Sequence, residues 1–159
     1  MASGSTVSPS ASEQPTKHGL FVEELIQADT LKSLMDKKTK LVILDARSKK
    51  SYDEAHIQGA LLPLTKDYYE KEELFRVGIL PAAPDRDKDL AEAMKQYPKN
   101  SKIVTYCNDD CQASSVLLLQ IKRLGFSDVH ALDEGFQTWE SKGYPVTREK
   151  KLIDSSKIS

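Results

Sequence analysis

The stretch Ile103-Val104-Thr105-Tyr106-Cys107-Asn108-Asp109-Asp110-Cys111-Gln112-Ala113-Ser114 changes character twice. Its first four residues are apolar, β-branched or aromatic, which suits a strand. Cys107 to Gln112 is short and polar. From Ala113 onward Val116, Leu117, Ile121 and Leu124 recur at helical spacing, and Gly125 supplies a C-terminal stop. A strand that runs through a tight loop into a helix is the opening of a parallel crossover.

The same alternation extends in both directions. Upstream, Lys40-Leu41-Val42-Ile43-Leu44-Asp45 is a continuous apolar run, too short for a helix and suited to a strand buried on both faces. Gly59 to Pro63 reads as another short strand, stopped by Pro63, and Phe21 to Ile26 as an edge strand. Downstream, Val129-His130-Ala131-Leu132 is the next strand. Helices are expected over Asp29 to Lys37, behind an Asp-Thr capping signal, over Asp85 to Tyr97, over Ala113 to Leu124, and around Phe136, Trp139 and Glu140. Thr65 to Asp85 mixes charge with Phe75, Val77, Ile79 and Leu80 and yields no assignment. The pattern predicts an α/β fold with helices on both faces of a parallel sheet.

The 159 residues are 39% hydrophobic and 30% charged, within the range of one globular domain. That domain is expected over 20–146, with 1–19 a Ser- and Pro-rich disordered leader and 147–159 a polar tail. The formal net charge of −1 argues against a bulk electrostatic grip on nucleic acid or anionic membrane. No apolar run approaches the roughly 18 residues of a membrane span, and neither a secretory nor a mitochondrial signal is evident, so a cytoplasmic location is expected. Cys107 and Cys111 are the only cysteines. They exclude a disulfide scaffold and argue against a four-ligand zinc site, since two thiolates and two carboxylates this close in sequence rarely fit one tetrahedral shell; no metal or cofactor is expected.

In open α/β sheets the working residues gather beyond the C-terminal ends of the strands. Two segments qualify: Asp45-Ala46-Arg47, and Cys107 with the residues behind it. Inward-turned N–H groups of Asn108 to Ala113, together with the helix N-terminus, would favour negative charge and lower the Cys107 pKa. A thiolate there attacks sulfur or phosphorus. The structural alternative is a buried cysteine acting as a small apolar residue.

Read together, several segments resemble the rhodanese-like domains. They are Leu41 to Arg47, Tyr52-Asp53-Glu54-Ala55-His56-Ile57-Gln58-Gly59-Ala60, Ile103 to Cys107, Leu124-Gly125-Phe126, Val129 to Trp139, and Gly143-Tyr144-Pro145-Val146, in family order. The resemblance implies a five-stranded parallel sheet and a sulfurtransferase in which Cys107 takes a sulfane sulfur as a persulfide. It hands that sulfur to a thiol or other nucleophilic acceptor. Asp45, Arg47 and His56 match family positions that support the loops.

Departures from the family pattern shape the expected chemistry. The loop positions that usually hold a glycine and a basic residue carry Asp110 and Gln112, and Asp109 adds a second carboxylate. Thiosulfate, a dianion, is therefore expected to be a poor donor, and carboxylates near the sulfur would raise its pKa. Gln112 is expected to hydrogen-bond a neutral or positively charged donor. Glu134 replaces the first glycine of a Gly-Gly pair. The position of a phosphatase loop arginine is Ala113, which disfavours phosphate chemistry. Cys111 lies in the same loop. It is either a resolving thiol for Cys107, making the pair a redox sensor served by a thioredoxin-like partner, or a residue that starts the helix. The alternative to an enzyme is a silent binding module whose acidic rim attracts a basic protein.

Overall fold

The computed structural model describes residues 20–148. The elements run β1 (Leu25–Ile26), α1 (Ala28–Asp36), β2 (Val42–Asp45), α2 (Lys49–Glu54), β3 (Ala55–Ile57), α3 (Lys66–Arg76), α4 (Arg86–Met94), β4 (Ile103–Tyr106), α5 (Ala113–Arg123), β5 (Val129–Leu132), α6 (Phe136–Ser141) and β6 (Val146–Arg148). Four strands form one parallel sheet in the order β1-β5-β4-β2. β3 and β6 form a separate antiparallel pair.

The sheet is thus four-stranded where five strands were expected. The fifth position is held by a single bridge between Leu44 and Leu61. Leu61 N–H donates to the Ile43 carbonyl at 2.8 Å, and Asp45 N–H to the Leu61 carbonyl at 2.9 Å. The ladder cannot grow on either side. Gly59 turns the chain at φ +85° just before it, and Pro63 has no N–H just after it. The edge strand is also shorter than expected. Glu24 accepts the Phe21 N–H at 2.9 Å and bends Val22–Glu24 into a 3-10 turn, leaving Leu25–Ile26 to pair with β5.

Strict alternation divides the core. Ile103 of β4 and Val129 and Ala131 of β5 join a cluster with Tyr68, Leu90, Met94, Leu117, Leu118 and Ile121, under α3, α4 and α5. Ile43, Val104, Tyr106 and Leu132 point the other way and pack with Leu31, Ile57, Phe136 and Trp139, under α1, α6 and β3. Burying one such aliphatic or aromatic side chain contributes about 1.5–3 kcal/mol. Helices therefore cover both faces of the sheet.

The unassigned stretch contains α3. Thr65 caps it by accepting the Tyr68 N–H at 3.1 Å, and Asp89 of α4 holds Thr65 through its N–H and its hydroxyl, both at 2.8 Å. The helix buries only Tyr68 and Tyr69, too narrow a stripe to emerge from its charged composition. α4 is capped by Asp85, whereas α1 begins behind Gln27 without a side-chain cap, so the Asp-Thr signal does not mark its start. β6 carries pairing through Arg148, two residues past the expected domain boundary at Val146. The readings of 1–19 and of 149–159 lie outside the described residues.

Candidate active site

β4 delivers the chain to the site. Its alternation sends Tyr106 toward α6 and turns the next residue, Cys107, toward α5, the side that Thr105 also faces. The Thr105 hydroxyl donates to the Ser114 carbonyl at 2.9 Å and pins the first turn of α5 against the strand. That places the Ser114 hydroxyl 3.5 Å from the Cys107 sulfur, which also lies 3.5 Å from the Asn108 carbonyl.

Cys107 is only 2% exposed. Burial pushes its thiol up to about 11; hydrogen bonding with the Cys111 thiol adds to the rise, and the Ser114 hydroxyl and backbone N–H oppose it. Of the opposed effects expected at this thiol, lowering by a backbone cradle and raising by nearby carboxylates, the outcome is a rise, and burial leads it. The expected cause of a rise is overturned, since neither Asp109 nor Asp110 is responsible. The amides explain why the cradle does not prevail. Asp109 N–H donates to Gln137 Oε1 at 2.8 Å, Cys111 N–H to the Asn108 carbonyl at 3.0 Å, and Ala113 N–H to the Cys111 sulfur at 3.2 Å. Three of the N–H groups expected to face Cys107 serve other acceptors, while Ser114, one residue beyond the expected set, serves the sulfur.

Asp109 is turned away from the thiols. One of its oxygens accepts the Gly135 N–H at 2.8 Å and the Thr138 N–H at 3.2 Å, and the other the Thr138 hydroxyl at 2.9 Å. Its carboxylate caps the N-terminus of α6, where negative charge is stabilising. Gln137 completes the staple by donating to Asn108 Oδ1 at 2.9 Å. The Cys107 carbonyl accepts the Phe136 N–H at 2.8 Å. Such close docking needs Gly135: a Cβ there would lie 2.3 Å from Asn108 C and Asp109 N. Asp110 and Gln112 are exposed on the outer side of the loop.

Asp45, Arg47 and His56 stand behind the site. Arg47 forms a fork to both Asp45 oxygens, with Nη2–Oδ2 at 2.7 Å, and also donates to the Ala55 carbonyl. The Tyr106 hydroxyl donates to Asp45 at 2.6 Å and accepts the Ile57 N–H at 3.1 Å. The Arg47 guanidinium lies 4.3 Å from the Phe136 ring centre. β2, β3, β4 and α6 meet in this one network. His56 stacks on Tyr52 at 3.8 Å, with Nδ1 2.8 Å from the Tyr52 carbonyl, and the Tyr52 hydroxyl holds the Ala60 carbonyl at 2.7 Å. None of the three contacts the Cys107 sulfur through a hydrogen bond among those described.

Sequence reasoning missed Ser114, Gln137, Thr138 and the Tyr106 hydroxyl. For Ser114 a signal existed: a serine seven residues after Cys107 falls on the first turn of the helix that follows. For Gln137 and Thr138 there was none, because their partners are nearly thirty positions away. Among the described residues no three His, Cys, Asp or Glu side chains are grouped to hold a metal, and no helix is long and apolar enough to cross a membrane.

A family model described as "Rhodanese-like domain" matches residues 27–142. Thiosulfate sulfurtransferase GlpE of Coxiella burnetii is 28% identical over 106 residues, covering 66% of this chain and 77% of its own length. The tRNA uridine(34) hydroxylase of Oceanobacillus iheyensis is 31% identical over 117 residues, covering 74% of this chain but only 30% of its own. Among solved structures, the Alr3790 protein from Anabaena sp. superposes with a TM-score of 0.58 at 22% identity, covering 82% of this chain and 87% of that one. SseA of Escherichia coli, a 3-mercaptopyruvate sulfotransferase, superposes at 0.59 and 18% identity, covering 79% and 51%.

Proposed function

Since this chain belongs to the rhodanese-like domain family, we propose that it is a sulfurtransferase whose Cys107 carries a sulfane sulfur as a persulfide. The observation that carries this reading is the placement of Cys107 at the C-terminal end of the central strand β4, with the Ser114 hydroxyl 3.5 Å from its sulfur. The sulfurtransferase name of the Coxiella relative, which this chain matches over 77% of that protein's length, supports the same class. The hydroxylase relatives are matched over less than a third of their length, and their activity is not extended to this chain.

Loading exchanges one S–S bond for another. A donor persulfide gives its outer sulfur to Cys107, and the donor thiol leaves with the Cys107 proton. Release repeats the exchange toward an acceptor thiol. No cation lies in the sequence from Cys107 to Gln112, and Asp110 is exposed beside it. Persulfides and thiols are therefore the substrates, and thiosulfate, a dianion, is a poor donor. A thioredoxin-like protein is the kind of acceptor that offers an accessible thiolate.

Incubation with cysteine persulfide is expected to add about 32 Da, one sulfur, at Cys107, and an acceptor thiol should remove it. Full donor-to-acceptor transfer by Cys107→Ser would overturn the reading. A silent binding module is the second reading, favoured by the burial of Cys107. It predicts no added mass with any persulfide donor.

A further inference from the structure

The two loop thiols occupy different surroundings. Cys107 is 2% exposed and follows directly on β4. Cys111 is half-buried, at the outer end of the same loop. Its sulfur is held at the start of α5 by the Ala113 N–H at 3.2 Å, and a turn closed by Cys111 N–H on the Asn108 carbonyl at 3.0 Å fixes its backbone. Both sulfurs lie against the first turn of α5, that of Cys107 3.5 Å from the Ser114 hydroxyl and that of Cys111 3.2 Å from the N–H of the preceding residue, Ala113, and the Cys111 thiol contributes to the raised pKa of Cys107. The Asp109–α6 staple holds this arrangement in place through five hydrogen bonds of Asp109 and Asn108 with Gly135 and α6. Cys111 is the more accessible of the two residues.

Building on the sulfur-transfer reading above, we propose that Cys111 is the entry thiol, taking the sulfane sulfur from the donor and passing it inward to Cys107. In the first exchange the Cys111 sulfur bonds the outer sulfur of a persulfide donor. The donor's S–S bond breaks, its thiol leaves with the Cys111 proton, and Cys111–S–SH remains. In the second, the Cys107 sulfur bonds that outer sulfur, the S–S bond at Cys111 breaks, and the Cys107 proton passes to Cys111. Each step breaks one S–S bond and forms another, so no oxidant or reductant is consumed. The sulfur ends on the buried thiol, and release to an acceptor thiol runs the same two exchanges in reverse, through Cys111. The order is the reverse of a resolving role, in which Cys111 would attack a persulfide on Cys107 and expel sulfide.

The test is a rapid-quench time course of the full chain with cysteine persulfide, read by mass spectrometry. Fragment ions that break between the two cysteines assign the added sulfur. In the wild-type protein it should appear on Cys111 first and then on Cys107. Cys107→Ser should hold it on Cys111, and Cys111→Ser should load Cys107 at least about tenfold more slowly, since a buried thiol reacts slowly with solvent reagents. The wild-type time course needs no variant and so stands whether or not a substitution perturbs the fold. Loading of Cys107 at the wild-type rate in Cys111→Ser, or Cys107 labelled first in the wild type, overturns the relay while leaving the sulfurtransferase reading intact. Loss of about 2 Da with release of sulfide overturns it in favour of a resolving Cys111. No sulfur taken up by the wild type at all overturns the sulfurtransferase reading and the relay with it.

Discussion

At the scale of single residues, burial governs the Cys107 thiol. Its thiol is shifted from 9.0 up to about 11, first by burial and then by Cys111. Below about pH 9 the thiol is protonated in folded and unfolded chains alike. Between about pH 9 and pH 11 the unfolded chain releases that proton while the folded chain retains it, so stability is lost as pH rises through this window. Tyr69 and Tyr106, also buried and raised, titrate higher still. The contribution of Cys107 is isolated by comparison with Cys107→Ser. In urea unfolding series the stability difference between wild type and variant should shrink from pH 9 to pH 11 and stay flat from pH 6 to pH 8. The place of this cysteine at a strand end was legible in the sequence because strand, loop and helix are local patterns. Its pKa was not, because burial and the committed amides belong to the packed loop.

At the scale of elements, the loop after β4 and the helix α6 behave as one unit. Asp109 caps α6, Gln137 of α6 caps the loop, and the loop backbone lies directly over Gly135. Gly135 is needed for this close approach; its own backbone is extended. Gly135→Ala would set a methyl group 2.3 Å from main-chain atoms that have no rotamer to adopt. It is expected to cost about 1–3 kcal/mol or more in urea unfolding and to increase alkylation of Cys107 by iodoacetamide at neutral pH. Unchanged stability would mean that the loop does not rest on the glycine. The sequence shows the Glu134-Gly135 pair but not why its second member stays glycine, since the atoms that would clash lie nearly thirty residues upstream.

At the scale of the whole molecule, the Asp45–Arg47–Tyr106 network joins the parallel sheet to the small β3–β6 pair. Asp45 is fully buried and the Arg47 side chain 6% exposed. Removing the guanidinium leaves a buried carboxylate with the Tyr106 hydroxyl and the Arg47 N–H as its remaining described donors. Arg47→Met is therefore expected to cost about 3–5 kcal/mol in urea unfolding, far more than an exposed ion pair such as Lys49–Asp53. Restoring an apolar surrounding with Asp45→Leu alongside Arg47→Met should recover part of that loss, because a well-packed apolar pair avoids the desolvation of two charges. A double variant no more stable than Arg47→Met would show that the network's worth lies in its orientation of Tyr106.

By itself the sequence determined the α/β class, the positions of β2, β4, β5 and α5, and the placing of Cys107 between β4 and α5. These follow from hydrophobic runs and helical spacing, which are written into neighbouring residues. Tertiary structure decided the rest. A turn at Gly59 and the missing N–H of Pro63 reduced the fifth strand to one bridge. Three-residue strands such as β3 and β6 are too short to carry a period and exist only because they pair with each other. The balance of effects at the thiol was also decided in three dimensions. The loop's carboxylate at Asp109 was drawn to the N-terminus of α6, and the desolvated interior took over the control of Cys107.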